Sequence, residues 1–222
     1  MELNKTIEVA WREIRKLHNE LHDPFVMMPM LNAAASLGEA LSEVESNFIE
    51  RMGPYGVARK IWDVPTELLH EEKGFLIGNA FVLAQVAIAQ AVAIFKKLRK
   101  HCRNFGVFPN EKEAILKFEA ETTLNSGLSE MIVIESVANY FKHQHEWPED
   151  WDESVAKKIQ KKNLHIVKNI GMTPGDLTDN MMVALYDLRA TKNVALIAYK
   201  VQSWRERLAF RLSNEPEIAN SI

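Results

Sequence analysis

Apolar side chains recur at spacings of three and four residues along most of the chain, which is the period of an α-helix with one buried face. The first segment shows this pattern, and Pro24 follows it as a stop signal. Its buried face is formed by Ile7, Trp11, Ile14, His18 and Leu21. No segment shows the alternation and tight turns of β-hairpins. The pattern therefore predicts an all-α protein.

Capping residues and helix breakers divide the pattern into about seven helices, which we expect to form a single domain over residues 1–213. The predicted helices cover about 7–22, 31–51, 66–103, 110–127, 129–145, 150–171 and 174–213. The last of them is interrupted near 189–193. A short element is expected at 55–62 and a frayed tail at 214–222. Three starts rest on caps, which are Asn110 with Glu113, Asp150 or Asp152, and Thr173 with Pro174 in the first turn.

One segment is apolar on all sides. Phe75 to Phe95 contains 21 residues and no charge, which is long enough to cross a bilayer. The small residues that form a stripe along it are Ala80, Ala84, Ala87 and Ala91. Such a stripe lets another helix approach closely, and a helix that is apolar all round is also expected at the centre of a large bundle. We therefore predict that this helix is the core of the bundle and that the protein has no membrane partner.

Composition narrows the class of protein further. Lys and Arg number 27 and Asp and Glu number 30, and the resulting net charge of -3 excludes a generally basic nucleic-acid coat. The 47% of hydrophobic residues exclude a disordered chain. Cys102 is the only cysteine, so no intrachain disulfide can form, which suits a reducing compartment. The first residues lack the pattern of a signal peptide, and we expect a cytoplasmic protein.

The helix predicted at 129–145 concentrates polar groups on one stripe. Its members are Glu135, Asn139, Lys142, His143 and Glu146, and the opposite side carries Ile134, Val137, Ala138 and Phe141. Histidine suits acid–base catalysis near neutral pH, and a neighbouring lysine can stabilise charge that develops on a phosphate. The alternative is a solvated helix end, in which Lys142, His143 and His145 complement the helix dipole.

Asn139-x-x-x-His143 near a helix end resembles the signature of HEPN domains, helical bundles found in toxins and antiviral systems. The resemblance implies a metal-independent ribonuclease that works as a homodimer, with two copies of the motif facing one composite site. It implies His143 as general acid or base, Lys142 as the group that stabilises phosphate charge, and Asn139 as the group that orients the histidine or the phosphate. Glu135 and Glu146 would orient and tune the histidine.

The sequence departs from this family at one position. The arginine that precedes the polar residue of the motif is replaced by Ala138. If the arginine is required, the chain is a non-catalytic relative. A further alternative is a non-enzymatic helical module whose polar stripe belongs to a dimer interface or binds a protein partner.

A basic helix face follows the polar stripe. Its members are Lys157, Lys158, Lys161, Lys162, His165 and Lys168. Of these, Lys158, Lys161 and Lys162 are the candidates for binding RNA through its phosphates. The alternative is again a solvated face, since acidic residues lie just upstream.

Two patterns have the spacing of metal ligands. His18 and His22 lie one helical turn apart and would serve a metal-dependent hydrolase, but no third ligand is evident nearby. Glu67-x-x-His70 has the spacing used in di-iron bundles, which need it twice, and it occurs once here. No metal site and no cofactor are therefore predicted.

Overall fold

The computed structural model describes residue 12 and residues 14–52, 64–100, 108–148 and 150–213. These residues contain a helical segment at 14–22 and seven further α-helices. The helices are α1 (Pro24–Met52), α2 (Val64–Arg99), α3 (Lys112–Lys117), α4 (Glu130–His143), α5 (Lys158–Asn169), α6 (Leu177–Asp187) and α7 (Leu196–Ser213), with a 3₁₀ turn at Gln144–Glu146. Within these ranges the only β-type pairing is an isolated bridge between Thr122 and Ser129. The all-α prediction is confirmed.

Helix α2 forms the centre of the bundle and packs against α1, α4, α6 and α7. Its completely buried side chains include Ile77, Phe81, Ala84, Ile88 and Phe95. A Cβ at Gly78 would collide with the ring of Phe141, so this glycine allows α4 to lie close against α2. The prediction of a core helix built on residues 75–95 is confirmed.

The length and apolar composition of α2 raise the question of whether it could cross a membrane. Among the described residues, Pro65–Arg99 is the one stretch that is long and apolar enough to cross a bilayer. However, 56% of its most apolar window is buried inside the protein. A helix that buries its apolar faces against other helices of its own chain is compatible with a soluble bundle.

Helix α1 begins at Pro24, and the predicted start near Leu31 is wrong. The carboxylate of Asp23 accepts a hydrogen bond of 2.8 Å from the backbone N–H of Phe25 and so caps the new helix. Proline suits this first position because the N–H that it lacks would have no partner there. The helical segment 14–22 does stop before Pro24, as predicted, but the same proline also opens α1.

Helix α3 is much shorter than predicted, and the helix expected from Asn110 to about Gly127 is wrong. It ends at Lys117, and its cap position is Glu111, whose side chain makes no capping hydrogen bond. The chain then turns away through Glu119, which has a positive φ of 55°. The predicted capping box of Asn110 and Glu113 does not form.

A buried carboxylate explains why the chain between α3 and α4 forms a loop. Asp187 is completely buried and accepts hydrogen bonds from the backbone N–H groups of Asn125 (2.9 Å) and Ser126 (3.1 Å). It also accepts one from the hydroxyl of Ser126 (2.9 Å). These contacts satisfy amides that a helix would otherwise have paired internally. Helix α4 then begins after Ser129, as predicted.

Helix α5 starts later than predicted, at Lys158, and neither Asp150 nor Asp152 caps it. Asp152 instead accepts from the backbone and hydroxyl of Ser154 in the preceding turn. The first turn of α5 is closed by Gln160, whose side-chain oxygen accepts from the backbone N–H of Lys157. The predicted end is confirmed, since Gly171 follows α5 with a left-handed φ of 95°.

Helix α6 is capped by Asp176, whose carboxylate accepts from the backbone N–H of Asp179. The predicted cap at Thr173 is therefore wrong, although the predicted interruption near 189–193 is the turn between α6 and α7. The element predicted at 55–62, Cys102, the tail 214–222 and the first part of the predicted first helix lie outside the described residues.

Candidate active-site cleft

A cleft of about 560 Å³ lies between α3, α4, the 3₁₀ turn and α5. Its apolar lining comes from Leu116, Ile132, Trp147 and Ile166. Trp147 is held in place by the rings of Tyr140 and Trp151, whose centroids lie 5.1 and 5.6 Å from its own. This aromatic cluster fixes the course of the chain after α4, where polar side chains enter the cleft.

His143 and Glu146 form a hydrogen-bonded pair at the cleft. His143 Nδ1 lies 2.9 Å from Glu146 Oε1, and because an ionised carboxylate only accepts, Nδ1 carries the donated proton. The bond from His143 lowers the pKa of Glu146, so that the carboxylate stays charged near neutral pH. His143 Nε2 has no hydrogen-bond partner among the described residues. The imidazole is thus oriented by a carboxylate and keeps one nitrogen available.

The position of Glu146 is fixed from α5. The buried side chain of Gln160 donates from Nε2 to the backbone oxygen of Glu146 at 3.1 Å. The same side chain accepts from the backbone of Lys157 at 2.8 Å. One glutamine therefore ties the turn after α4 to the start of α5 and places Lys157 on the same cleft as His143.

Asn139 and Lys142 belong to a second network, which is centred on Gln85 of α2. Gln85 Nε2 donates to Asn139 Oδ1 at 2.9 Å, and Lys142 Nζ donates to Gln85 Oε1 at 2.6 Å. Asn139 still lines the cleft, whereas Lys142 does not. The structure therefore separates Lys142 from His143, with which the sequence analysis grouped it.

Glu135 lines the cleft but pairs with Lys112 rather than with the histidine. The side chain is 13% exposed, and its second oxygen is buried without a hydrogen-bond partner. Of the two glutamates expected to support His143, only Glu146 contacts it. Lys112 comes from α3, a helix whose position relative to α4 is not evident in the sequence.

A third carboxylate, Glu113, faces the cleft from α3. It accepts hydrogen bonds from Lys162 (2.7 Å) and Lys117 (2.9 Å), and these bonds lower its pKa to about 2. Lys162 is thus the one predicted RNA-binding lysine that lines the cleft. Lys158 and Lys161 are exposed elsewhere on α5.

The cleft is lined by equal numbers of lysines and glutamates. Three lysines, Lys112, Lys157 and Lys162, face three glutamates, Glu113, Glu135 and Glu146. Two of the lysines are paired with glutamates, whereas Lys157 forms no ion pair within the described ranges. The cleft therefore presents one uncommitted ammonium group beside the His143–Glu146 pair.

Sequence reasoning missed Lys112, Gln160 and the cleft-facing roles of Glu113 and Lys157. The sequence pattern indicates a cap at Glu113 and a basic helix face at Lys157, but it does not indicate that the two side chains line one cleft. Only Gln160 carried a local signal, because a glutamine three residues after a helix start can close the first turn.

The paired histidines near the start of the chain contact each other and α7. The rings of His18 and His22 stack with centroids 6.2 Å apart, and His18 Nε2 lies 3.2 Å from the backbone oxygen of Ala209. The ring nitrogen of His18 thus joins the segment 14–22 to α7.

Comparison with protein-family models, with curated protein sequences and with solved structures finds no match to this chain.

Proposed function

We propose that the cleft is the active site of a metal-independent ribonuclease in which His143 is the general acid or base. The observation that carries the proposal is the pairing of His143 with Glu146 at 2.9 Å, with the other ring nitrogen left available. An imidazole oriented by a carboxylate in a cleft is the arrangement that acid–base catalysis requires. The resemblance to HEPN domains supplies the substrate class.

The proposed reaction is transesterification within one RNA strand. His143 Nε2 removes the proton of a ribose 2′-hydroxyl, whose oxygen forms a bond to the adjacent phosphorus. The bond from phosphorus to the 5′-oxygen breaks, and that oxygen takes a proton from an imidazolium, either the same histidine after exchange or His143 of a second copy. The products are a 2′,3′-cyclic phosphate and a 5′-hydroxyl, so no metal or water is consumed.

The other residues of the cleft divide the supporting roles. Lys157 stabilises the charge on the phosphate, in place of Lys142, whose ammonium is bound to Gln85. Asn139 is held by the same glutamine and orients the phosphate through its amide. Lys162 contributes positive charge only in part, because Glu113 neutralises it.

The test is cleavage of a labelled single-stranded RNA in the presence of a chelator, with the product ends identified. We expect His143→Ala to lower the cleavage rate by about 100-fold or more, since acid–base catalysis supplies about that factor. His145→Ala is the matched control, because this neighbouring histidine is 74% exposed and does not line the cleft. Equal cleavage by both variants, or cleavage that the chelator abolishes, would contradict the proposal.

One observation favours a second candidate function, binding of RNA without cleavage. The position of the family arginine is taken by Ala138, which is completely buried in the core and offers no charge to the cleft. The same experiment separates the two functions. Folded protein that retains labelled RNA in a filter-binding assay, and leaves it intact, is the non-catalytic relative.

A further inference from the structure

We propose that His70, Asp176 and Asp179 bind a divalent transition-metal ion of the zinc class. Their ligand atoms all lie within 4.8 Å of one another, and His70 Nε2 is 3.0 Å from Asp176 Oδ1. The three residues come from two elements distant in the chain, the start of α2 and the start of α6. None of them lines the cleft that contains His143.

Close packing of α2 on α6 brings these groups together. A Cβ at Gly74 would lie 2.9 Å from the backbone Cα of Thr178, so only glycine permits this approach. Thr178 donates from its hydroxyl to the backbone oxygen of His70 at 2.6 Å. The ring of Phe48 flanks the imidazole of His70, with centroids 6.3 Å apart. The histidine is therefore held at the two carboxylates by this packing and by the hydrogen bond between its Nε2 and Asp176 Oδ1, which a bound metal ion would replace.

The donor set selects the class of ion. An imidazole nitrogen with two carboxylate oxygens suits zinc and its neighbours, whereas calcium and magnesium prefer oxygen ligands throughout. Three protein ligands leave one tetrahedral position for water. Ligands of a tetrahedral zinc ion lie about 3.3 Å apart, since the bonds are about 2.0–2.1 Å long. The exposed side chain of Asp179 accepts no hydrogen bond in the described part of the chain, and it can close the remaining gap by changing rotamer.

Electrostatics also favours a cation here. The start of α6 carries a partial charge of about +0.5, which by itself would repel a metal ion. The carboxylates of Asp176 and Asp179 together carry two negative charges, which outweigh this and neutralise a divalent ion. Binding would join α2 to α6 in the folded state only, and so would stabilise the protein by mass action.

The experiment is calorimetric titration of the full chain with zinc chloride after dialysis against a chelator, together with thermal unfolding in zinc and in magnesium. The variants are His70→Ala and Asp179→Asn, and His145→Ala is the control for an exposed histidine outside the site. We expect one zinc ion per chain and a higher unfolding temperature in zinc but not in magnesium. Each site variant should weaken binding by about tenfold or more, and His145→Ala should leave it unchanged.

Absence of saturable zinc binding would overturn the proposal, as would equal binding by Asp179→Asn and the wild type. If His70→Ala fails to fold, as judged by circular dichroism, Asp179→Asn decides the question alone, because its side chain is exposed and does not cap α6. Cobalt binding provides a second readout, since the visible absorption of cobalt reports whether the ion sits in a tetrahedral site.

Discussion

At the scale of single residues, Glu113 shows how two neighbouring lysines lower the pKa of a carboxylate. Hydrogen bonds from Lys162 and Lys117 lower its pKa to about 2 from an ordinary 4.5. A group whose pKa is lower in the folded state contributes stability above its unfolded pKa and loses it as the pH falls. The contribution of Glu113 is therefore complete above about pH 5 and disappears toward pH 2.

We predict that Glu113→Gln lowers the free energy of unfolding at pH 7 and that the difference from the wild type shrinks between pH 5 and pH 3. The side chain is 45% exposed, so solvent screens both pairs and limits the loss to about 1 kcal/mol. Urea unfolding at several pH values measures it. Glu111→Gln, two residues away and in no ion pair among the described residues, is the control. A difference that stays constant with pH would show that the ion pairs are not its source.

The sequence predicted which residues of the candidate site share one helix face, but not which residues of other helices complete the site. The spacing of Asn139, His143 and Glu146 predicted one stripe of a helix, and all three line the cleft, although Glu146 lies in the 3₁₀ turn after α4. Lys142 precedes His143 by one residue, which is about 100° around the helix axis, and this rotation directs it to Gln85 on α2. Whether such a residue joins the site depends on which helix packs beside it, and a single sequence does not specify that.

At the scale of elements, the loop between α3 and α4 depends on one buried charge. We predict that Asp187→Ala lowers the free energy of unfolding by about 3 kcal/mol, because it leaves the amides of Asn125 and Ser126 without their charged acceptor. Ser126→Ala removes the hydroxyl that donates to Asp187 and also bonds the hydroxyl of Thr123 (2.6 Å), and it should cost about 1–2 kcal/mol. Urea unfolding measures both losses.

The control for this loop is Asp150→Ala, an exposed aspartate that should change stability by less than about 0.5 kcal/mol. Hydrogen exchange of the Asn125 and Ser126 amides should accelerate in Asp187→Ala. If exchange is unchanged there, these amides find other partners and the carboxylate does not hold the loop.

Helix boundaries were predictable where a local group decides them and not where a distant one does. Gly171 acts within its own turn, and the predicted end of α5 is confirmed. Helix α4 begins after Ser129 as predicted, but the Ser129 hydroxyl donates to the backbone oxygen of Leu116 and makes no capping bond in its own turn. The predicted helix from Asn110 to Gly127 is wrong, and in the last part of that segment the amides of Asn125 and Ser126 bind Asp187, far along the chain. A capping residue in the sequence is therefore a useful signal for a helix start, but hydrogen bonds to a distant residue can override it.

At the scale of the whole molecule, the core was predictable because a helix that is apolar on every face has to bury most of its surface against other helices, although Phe75 and Val86 stay more than half exposed. Residues 75–95 therefore indicated the centre of the bundle before its neighbours were known. The helices that pack on it were not predictable. Helices α4 and α6 approach α2 at Gly78 and Gly74, and a glycine in a helix does not indicate which other helix packs against it.

The last prediction follows from the proposed homodimer and concerns how many copies of His143 one reaction uses. Light scattering should give twice the 25.4 kDa mass of the chain. If both copies supply a histidine to one composite site, mixing equal amounts of wild type and His143→Ala with subunit exchange should leave about a quarter of the activity rather than about half. Mixing wild type with His145→Ala controls for exchange itself and should leave the activity unchanged. Activity that falls only to about half would mean that each cleft works alone, with one histidine serving as base and then as acid.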